Sequence, residues 1–192
     1  MKERMLRGEL YRFDDPELAA DYARAQALLE RYNVTRHAEQ DLRDLLLREL
    51  LGEVGEGVVI RPSFRCDYGK HIAIGARTFL NYDCVMLDVA PIRIGTACQI
   101  ATCVQLVTAT HPTDPEPRRL GWESAEPITI GDNVWLGSGV TVCPGVTIGD
   151  DTVVGAGSVV TRDLPRGVVA LGNPARVHRP IDQQDTVILP RS

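Results

Sequence analysis

Large aliphatic residues recur every six positions in the second half of the chain, at Ile130, Leu136, Val142, Ile148, Val154 and Val160. Four residues after each of the first five stands a smaller side chain: Val134, Val140, Val146, Thr152 and Ser158. A period of six matches neither the 3.6-residue turn of a helix nor the two-residue alternation of a single strand. It indicates a repeat architecture, which takes precedence over other interpretations of the pattern.

The same register is present upstream, where it slips once by two residues. Its large positions hold Ile74, Leu80, Met86, Ile94, Ile100 and Leu106, and its small positions hold Thr78, Cys84, Cys98 and Val104. Turn-forming residues follow the large ones, as in Ile130-Gly131-Asp132-Asn133. Each hexad is therefore predicted to form a short strand and a turn. Stacked coils of three hexads bury a continuous core, which predicts a mainly β protein built as a parallel β-helix.

Two amphipathic helices are predicted within an N-terminal helical segment, residues 1–54. The first starts at Asp14-Asp15-Pro16-Glu17, with an aspartate cap and an early proline, and ends at Asn33 or Val34. One of its faces carries Leu18, Tyr22, Ala25, Leu29 and Tyr32. The second follows Thr35, stops at Gly52, and is expected to bury Leu42, Leu45, Leu46 and Leu50. We expect both helices to pack on the side of the β-helix or to cap its open end.

The repeats are expected to occupy residues 55–180, interrupted by a long loop excursion at 107–127. The excursion contains Thr108-Ala109-Thr110-His111-Pro112 and no hexad. Long excursions from a regular stack usually carry function, and an inert insertion is the alternative. Residues 181–192 are predicted to form a polar, frayed tail.

Charge and composition exclude several classes of function. The net charge of −5 comes without a block of like charges, so the chain lacks the electrostatic footprint of a nucleic-acid-binding protein. Apolar runs fall far short of the ~20 residues that span a membrane, and the charged Met1-Lys2-Glu3-Arg4 leads into no signal segment. The five cysteines form no Cys-x-x-Cys pair and are interpreted as reduced. A cytoplasmic protein is predicted.

His111 is the strongest candidate for a catalytic role among the four histidines. It stands at the start of the excursion, beside a proline that restricts its backbone. No two histidines near the excursion have zinc-ligand spacing, so no metal is expected, and a metal-dependent hydratase on this fold is disfavoured. The chain contains neither a Gly-x-Ser-x-Gly elbow nor a phosphate-binding P-loop.

Together these features resemble the hexapeptide-repeat acyltransferases, and among them the maltose, galactoside and nodulation-type sugar O-acetyltransferases. The most specific segments are Phe64-Arg65-Cys66-Asp67-Tyr68-Gly69, Asn81-Tyr82, Leu87-Asp88-Val89-Ala90-Pro91, Thr108-Ala109-Thr110-His111-Pro112 and Gly172-Asn173-Pro174-Ala175-Arg176-Val177. The resemblance implies a left-handed β-helix and acetyl transfer from acetyl-CoA to a sugar hydroxyl, with both substrates bound together. It also implies a homotrimer with active sites between subunits.

The resemblance assigns two catalytic roles. His111 matches the family's general base, and a neutral imidazole has suitable basicity to take the proton of an attacking hydroxyl. Asn81 matches the residue credited with stabilising the charge that develops on the thioester oxygen. Asn81 could alternatively be a left-handed turn residue of its hexad.

Further positions match residues of the acceptor and coenzyme sites. The acceptor candidates are Asp14, Asp67, Asp88 and Glu123, although Asp14 could equally be a helix cap and Asp88 a turn residue. The coenzyme candidates are Ser138, Gly139, Ala156, Gly157, Thr161, Arg162, Arg176 and Arg179. The guanidinium groups suit the CoA phosphates, and small residues could serve either coil packing or the pantetheine arm. Arg12 and Tyr22 depart from the maltose-type pattern, so the sugar preference stays open.

Other functions fit the pattern less well. The acetyl acceptor could be serine, an amino-sugar or an antibiotic, although the serine-type and xenobiotic-type enzymes differ in their helical and inserted segments. A non-catalytic β-helix scaffold is the alternative outside the enzymes, and it predicts no CoA binding.

Overall fold

The structure, a computed structural model, describes residues 1–187, and its main body is a parallel β-helix with three faces. Face 1 consists of β2 (Glu53–Val54), β5 (Ile72–Ile74), β8 (Ile92–Ile94), β13 (Ile128–Ile130) and β16 (Thr147–Ile148). Face 2 consists of β3 (Val59–Ile60), β6 (Phe79–Leu80), β9 (Gln99–Ile100), β14 (Trp135–Leu136), β17 (Val153–Val154), β19 (Val168–Gly172) and β20 (Ala175–Pro180). Face 3 consists of β4 (Phe64–Cys66), β7 (Cys84–Leu87), β10 (Gln105–Val107), β15 (Thr141–Val142) and β18 (Val159–Val160). The β-helix predicted from the hexads is confirmed.

The hexad positions form the core. Every large hexad residue named above is at most 4% exposed, and every small one is buried as well. Polar small residues satisfy their hydroxyl groups within the stack: Thr78 donates to the Gly95 carbonyl at 2.8 Å and Ser158 to the Gly155 carbonyl at 2.6 Å. A buried hydroxyl is tolerated when it is hydrogen-bonded. The cysteines are free thiols, and three of them, Cys66, Cys84 and Cys98, are buried in the stack.

Helices α2 (Pro16–Asn33) and α3 (Gln40–Leu50) cap the N-terminal end of the β-helix. Asp15 is the N-cap of α2, because its Oδ1 accepts hydrogen bonds from two backbone amides of the first turn. The Tyr32 hydroxyl donates to the Ile60 carbonyl at 2.5 Å and joins α2 to the first coil. Of the two expected arrangements, the structure therefore adopts the end cap. A short helix α1 (Lys2–Leu6), which was not predicted, precedes them.

The buried sides of both helices differ in part from the prediction. Leu42 and Leu45 were expected inside, yet they are 38% and 61% exposed, and Leu47 is buried instead. Five leucines within nine positions of α3 allow more than one apolar stripe, and contacts with the first coil select the one used. Tyr22, which lies on the predicted face of α2 with Leu18 and Ala25, is 47% exposed.

The excursion contains regular structure and pairs with the N-terminus. It forms β11 (Ala109–Thr110), α4 (Pro115–Arg119) and β12 (Trp122–Ala125), and β1 (Tyr11–Arg12) adds to β12 as a third antiparallel strand. We call residues 1–15 the N-terminal arm. A second small core, made of Met5, Tyr11, Leu18, Tyr68, Val89, Ala90 and Ala125, lies beneath this sheet. The excursion is therefore held against the body of the molecule by the arm.

The C-terminal end is closed by the antiparallel hairpin of β19 and β20. A 3₁₀ turn at Gln183–Asp185 follows it, and Asp185 forms an ion pair with Arg179 at 2.6 Å. Within the predicted polar tail, residues 181–187 thus include an ordered turn, while 188–192 lie outside the described residues. Across residues 1–187, no helix has the length and apolarity needed to cross a membrane.

Candidate active site

The predicted site residues concentrate at two corners of the β-helix. At corner 3–1 the chain passes from face 3 to face 1, and this corner consists of the turns 67–71, 88–91, 143–146 and 161–163 together with the excursion. At corner 2–3 it passes from face 2 to face 3 through the turns 61–63, 81–83, 101–103, 137–139 and 155–157.

A cleft of about 360 Å³, the first cleft, lies at corner 3–1 beneath the excursion. Its walls come from the N-terminal arm (Tyr11, Phe13), α2 (Leu18, Tyr22), the 67–71 turn (Asp67, Tyr68) and the excursion (Glu123). The cleft therefore combines aromatic rings with two carboxylates. Of the four acceptor candidates, Asp67 and Glu123 line it and Asp14 and Asp88 do not.

Glu123 is held in place by Tyr11. The two residues are opposite each other in the β1–β12 pair, and the Tyr11 hydroxyl donates to Glu123 Oε2 at 2.8 Å. Burial and this hydrogen bond raise the pKa of the Tyr11 hydroxyl, so it stays protonated and continues to donate.

Asp67 lies in an environment that disfavours its charged form. Burial, followed by the charges of Asp88 and Glu123, raises the pKa of Asp67 to about 6. Burial and the same carboxylates raise the pKa of Tyr68 to about 12. Near neutral pH the first cleft therefore offers carboxylate acceptors and phenolic donors, a combination suited to a ligand with several hydroxyl groups.

Asp88 supports the 67–71 turn from below. It is fully buried; its Oδ1 accepts from the amides of Asp67 and Tyr68 at 3.0 and 2.9 Å, and its Oδ2 accepts from the His71 amide at 3.3 Å. Burial raises the pKa of Asp88, and these amide donors oppose that shift. The geometry therefore favours the turn role over contact with an acceptor.

Asp14 is exposed and forms an ion pair with Arg12 at 2.5 Å. The helix-cap role that was considered for Asp14 belongs instead to Asp15. Because exposed ion pairs contribute little to stability, the Arg12–Asp14 pair is not required by the fold.

His111 follows β11 directly and is exposed. The hairpin pairs Ala109 with Ala125 and Thr110 with Ser124. Continued by one residue, this register sets His111 opposite Glu123. Side chains two residues apart project from the same face of a strand, so the alternation sets His111 on the same face as Ala109, which lines the first cleft.

Asn81 lies at corner 2–3. Its backbone amide donates to the Ile100 carbonyl at 2.8 Å, and its side-chain Oδ1 accepts from the Tyr82 amide at 2.9 Å. The left-handed residue of this turn is Asp83, with φ of 61°, so Asn81 is not the left-handed turn residue that was the alternative. Asn81 and His111 therefore lie at different corners of one chain.

The four small coenzyme candidates extend the column that contains Asn81. Ser138 and Gly139 lie in one turn and Ala156 and Gly157 in the next, with the Gly157 amide donating to the Ser138 carbonyl at 2.9 Å. Gly139 and Gly157 have φ of 69° and 70°, and a Cβ at either would meet no atom within 4 Å. Coil packing within the chain therefore does not explain why Gly139 and Gly157 lack a side chain. Their positive φ favours glycine at these positions, and the space beside them is open.

The remaining coenzyme candidates lie toward the C-terminal end. Thr161 and Arg162 follow β18 at corner 3–1, and Arg176 and Arg179 belong to β20; all four are exposed. The Arg179 guanidinium is paired with Asp185. The structure thus separates these residues from the first cleft and distributes them over the last coils.

The aromatic lining of the first cleft was not predicted from the sequence. Tyr11 and Phe13 belong to an arm whose two-residue strand has no periodic signal, and Tyr22 was assigned only to one face of an amphipathic helix. The one available signal was the occurrence of tyrosine close to an acidic residue in Asp67-Tyr68 and Glu9-Leu10-Tyr11. In the part of the chain from Met1 to Val187, no group of three or more His, Cys, Asp or Glu side chains could hold a metal ion.

Comparison with known proteins identifies the family. The maltose acetyltransferase hexapeptide capping motif matches residues 4–55, and the bacterial transferase hexapeptide (six repeats) matches residues 127–162. Nodulation protein L of Rhizobium meliloti (strain 1021) is 54% identical over 176 residues, which cover 92% of this chain and 96% of the relative.

Two solved structures share the whole architecture. A maltose O-acetyltransferase from Clostridium difficile 630 aligns with a TM-score of 0.93 and 45% identity, covering 95% of this chain and 97% of that one. A galactoside acetyltransferase in complex with coenzyme A aligns with a TM-score of 0.94 and 39% identity, covering 96% and 92%. The chain therefore belongs to the hexapeptide-repeat acyltransferases, in the group of the maltose, galactoside and nodulation-type O-acetyltransferases.

Proposed function

We propose that this enzyme transfers an acetyl group from acetyl-CoA to a hydroxyl group of a sugar, and that the first cleft holds the acceptor. The observation that carries the proposal is the first cleft itself, which is lined by aromatic rings and two carboxylates and lies beneath the hairpin that leads to His111. Aromatic faces suit the CH groups of a sugar ring, and carboxylates accept hydrogen bonds from its hydroxyls.

His111 is the proposed general base. In the transfer, the acceptor oxygen attacks the thioester carbonyl as an imidazole nitrogen of His111 takes the hydroxyl proton. The tetrahedral intermediate then collapses, the carbon–sulfur bond breaks, and the proton goes to the leaving thiolate of CoA. No covalent enzyme intermediate is needed.

Asn81 and the small-residue column form the proposed donor side. The Asn81 side-chain amide supplies a donor for the oxygen that gains charge in the transition state. The pantetheine arm lies along Ser138, Gly139, Ala156 and Gly157, where open space adjoins the turns. Thr161, Arg162, Arg176 and Arg179 are proposed contacts for the rest of CoA, with the guanidinium groups on its phosphates.

Asp67 and Glu123 are the proposed acceptor contacts. Asp88 acts indirectly in this proposal, because it fixes the backbone of the 67–71 turn that presents Asp67 and Tyr68. Asp14 does not line the first cleft, and its proposed contact with the acceptor rests on the family resemblance alone.

A homotrimer with shared active sites is part of the proposal. His111 and Asn81 lie at different corners of one chain, so a neighbouring copy is needed to bring a base and an oxyanion donor together. The outer row of face 2 holds Val59, Phe79, Gln99, Trp135, Val153 and Val169, of which all but Gln99 are apolar. The outer row of face 1 holds Glu53, Ala73, Arg93, Thr129 and Thr147. An exposed apolar stripe favours face 2 as a subunit contact.

The free cysteines and the use of acetyl-CoA support a cytoplasmic location.

The test measures free-thiol release from acetyl-CoA with glucose, maltose, galactosides, glucosamine, serine and chloramphenicol as acceptors. We expect sugar-dependent release that falls by ~10²–10⁴ in His111→Ala, the range for loss of a general base. His37→Ala, which changes an exposed histidine remote from the first cleft, is the matched control. Release that depends on serine or chloramphenicol alone, or normal activity of His111→Ala, would contradict the proposal.

Shared sites are tested by co-expressing His111→Ala and Asn81→Ala chains. Each variant alone is expected to be nearly inactive. Mixed trimers contain some sites with an intact His111 from one copy and an intact Asn81 from another, so activity should return. Absence of recovery in verified mixed oligomers would place both groups in a single chain.

A further inference from the structure

A second cleft, of about 460 Å³, lies at the N-terminal end of face 2, between the connection of α2 to α3 and the first two coils. Its walls include Thr35, Arg43 of α3, Val59 and Arg61 of the first coil, and Phe79 and Tyr82 of the second coil. The two clefts share no lining residue, so the second cleft is a separate cavity. It is lined by two arginines and by no aspartate or glutamate.

Arg43 carries a positive charge that is almost completely removed from water. It is 8% exposed; its Nε donates to Thr35 Oγ1 at 2.8 Å and its Nη2 donates to the Thr35 carbonyl at 3.3 Å. Both acceptors are neutral, and within residues 1–187 no carboxylate forms an ion pair with Arg43. Burying a charge is costly unless a group of opposite charge accompanies it. The wall of the second cleft therefore contains a buried cation that lacks a counter-charge.

Arg61 adds a second cation to the same cleft. Its guanidinium carbon lies 5.3 Å from the centre of the Phe79 ring and 4.9 Å from that of the Tyr82 ring. Its Nη1 donates to the Tyr82 hydroxyl at 3.1 Å. Aromatic rings attract a guanidinium group without cancelling its charge. Arg61 is thus oriented by two neutral side chains, and along the described chain it too has no ion pair with a carboxylate.

The acidic residues nearby have other hydrogen-bond partners. Asp83 Oδ1 accepts from the Ser63 hydroxyl at 2.5 Å, and Asp44 Oδ1 accepts from the Gln40 side-chain amide at 2.8 Å. Glu39 Oε2 accepts from a backbone amide of the α2–α3 connection at 2.7 Å. None of these three carboxylates lines the second cleft. The positive charge of the cleft is therefore available to an external anion.

We propose that the second cleft binds a phosphate group, presented as inorganic phosphate or as a small phosphomonoester, with Arg43 and Arg61 as its charged donors. Planar guanidinium groups match the oxygen atoms of a phosphate. A phosphate monoester carries ~1.5–2 negative charges near neutral pH, which balances two guanidinium charges better than the single charge of a carboxylate does. Val59 and Phe79 supply apolar surface beside the charges, where the organic part of an ester fits.

Isothermal titration calorimetry of the wild-type protein with sodium phosphate tests the site, against sodium chloride at matched ionic strength. We expect saturable binding of phosphate and none of chloride. Glycerol phosphate is the second titrant: a lower Kd than that of inorganic phosphate would identify an ester as the ligand, and a higher Kd would identify the free ion. Sodium acetate is the third titrant. Absence of saturable phosphate binding, or equal Kd values for acetate and phosphate, would overturn the inference.

Arg61→Gln removes one of the two charges at an exposed position, so the core is left unchanged. We expect the Kd for phosphate to rise about tenfold or more, since tenfold corresponds to about 1.4 kcal/mol and a hydrogen bond to a charged group contributes at least that much. Arg65→Gln, at an exposed position outside the second cleft, is the matched control and should keep the wild-type Kd. Equal Kd values for the two variants would overturn the inference. So would a changed sedimentation coefficient in Arg61→Gln, because Arg61 would then serve a contact between copies of the chain.

Competition with acetyl-CoA separates this site from the coenzyme site. We expect the Kd for phosphate to be the same with and without saturating acetyl-CoA. Displacement of phosphate by acetyl-CoA would place the second cleft within the coenzyme site and overturn the inference. These measurements need no acetyl transfer, so the inference and the proposed function can fail independently.

Discussion

The Tyr11 hydroxyl donates a hydrogen bond of 2.8 Å to the Glu123 carboxylate, and thereby joins residues 112 positions apart in the sequence. The contact ties the N-terminal arm to the excursion at the wall of the first cleft. Arg4 adds a second tie, since its guanidinium carbon lies 5.8 Å from the centre of the Trp122 ring. The arm therefore acts as a brace for the segment that carries His111.

Tyr11→Phe should destabilise the protein and weaken acceptor binding. The variant removes the donor to a charged, half-buried acceptor, and such hydrogen bonds contribute about 1.5–3 kcal/mol. Urea unfolding measures the loss of stability, and the acceptor KM in the thiol-release assay reports the loosened cleft wall. Tyr82→Phe is the control, because its hydroxyl pairs with Arg61 at the exposed surface. Equal effects of the two variants would argue against a bracing role.

Asp88→Ala should be much more destabilising than Asp88→Asn. Alanine leaves the buried Tyr68 amide and its neighbours without an acceptor, at a cost of about 1–3 kcal/mol for each unsatisfied donor. Asparagine retains one oxygen for the amides of Asp67 and Tyr68. Chemical unfolding of both variants checks the order. If Asp88 served the acceptor alone, both variants would fold with wild-type stability.

The contribution of Asp67 to stability should fall as the pH rises from about 4 to about 6. Its folded-state pKa is about 6 and exceeds the unfolded value near 4, so the folded state binds more protons in this range. The free energy of unfolding then decreases with pH, and the contribution of neutral Asp67 is lost above its folded pKa. Asp67→Asn should flatten this decline. Urea unfolding at pH 4, 5, 6 and 7 provides the comparison, and parallel profiles for the two proteins would rule out the shift.

Gly137→Ala and Gly139→Ala should separate packing from ligand space. A Cβ at Gly137 would lie 2.6 Å from the Ala156 nitrogen, so we expect strong destabilisation. A Cβ at Gly139 meets nothing, and the positive φ alone costs roughly 1–2 kcal/mol. Gly139→Ala should therefore fold and show a raised KM for acetyl-CoA. An unchanged KM in the folded variant would mean that the pantetheine arm lies elsewhere.

The core of the fold could be predicted because the hexad repeat is visible along the chain. Ile94 and Ile130 lie in the same inner row of face 1, in neighbouring coils. Within a coil, the six-residue period sets one such aliphatic residue on each face, so the inner positions can be identified from the sequence. The start of helix α2 could also be predicted, because the Asp15 cap and Pro16 are local signals.

The site could be predicted only in part, because its geometry depends on contacts between distant segments. β1 and β12 pair over only two residues each and neither segment has a periodic pattern, so no signal along the chain indicates that Tyr11 and Glu123 meet. Helical spacing placed Tyr22 on the same face as Leu18 and Ala25, whereas its contact with the Tyr68 ring depends on the folded chain. The residue type and position of His111 indicated chemistry and the role of Asn81 followed from the family resemblance, whereas the separation of the two on different corners required the folded chain.

The stack of face 3 continues across the excursion without a shift, since Leu106 pairs with Met86 on one side and Val142 on the other. The segment that carries His111 therefore leaves the β-helix at one corner and returns to it without changing the register of the coils. The length and composition of the excursion can therefore change while the strands on either side of it keep their register.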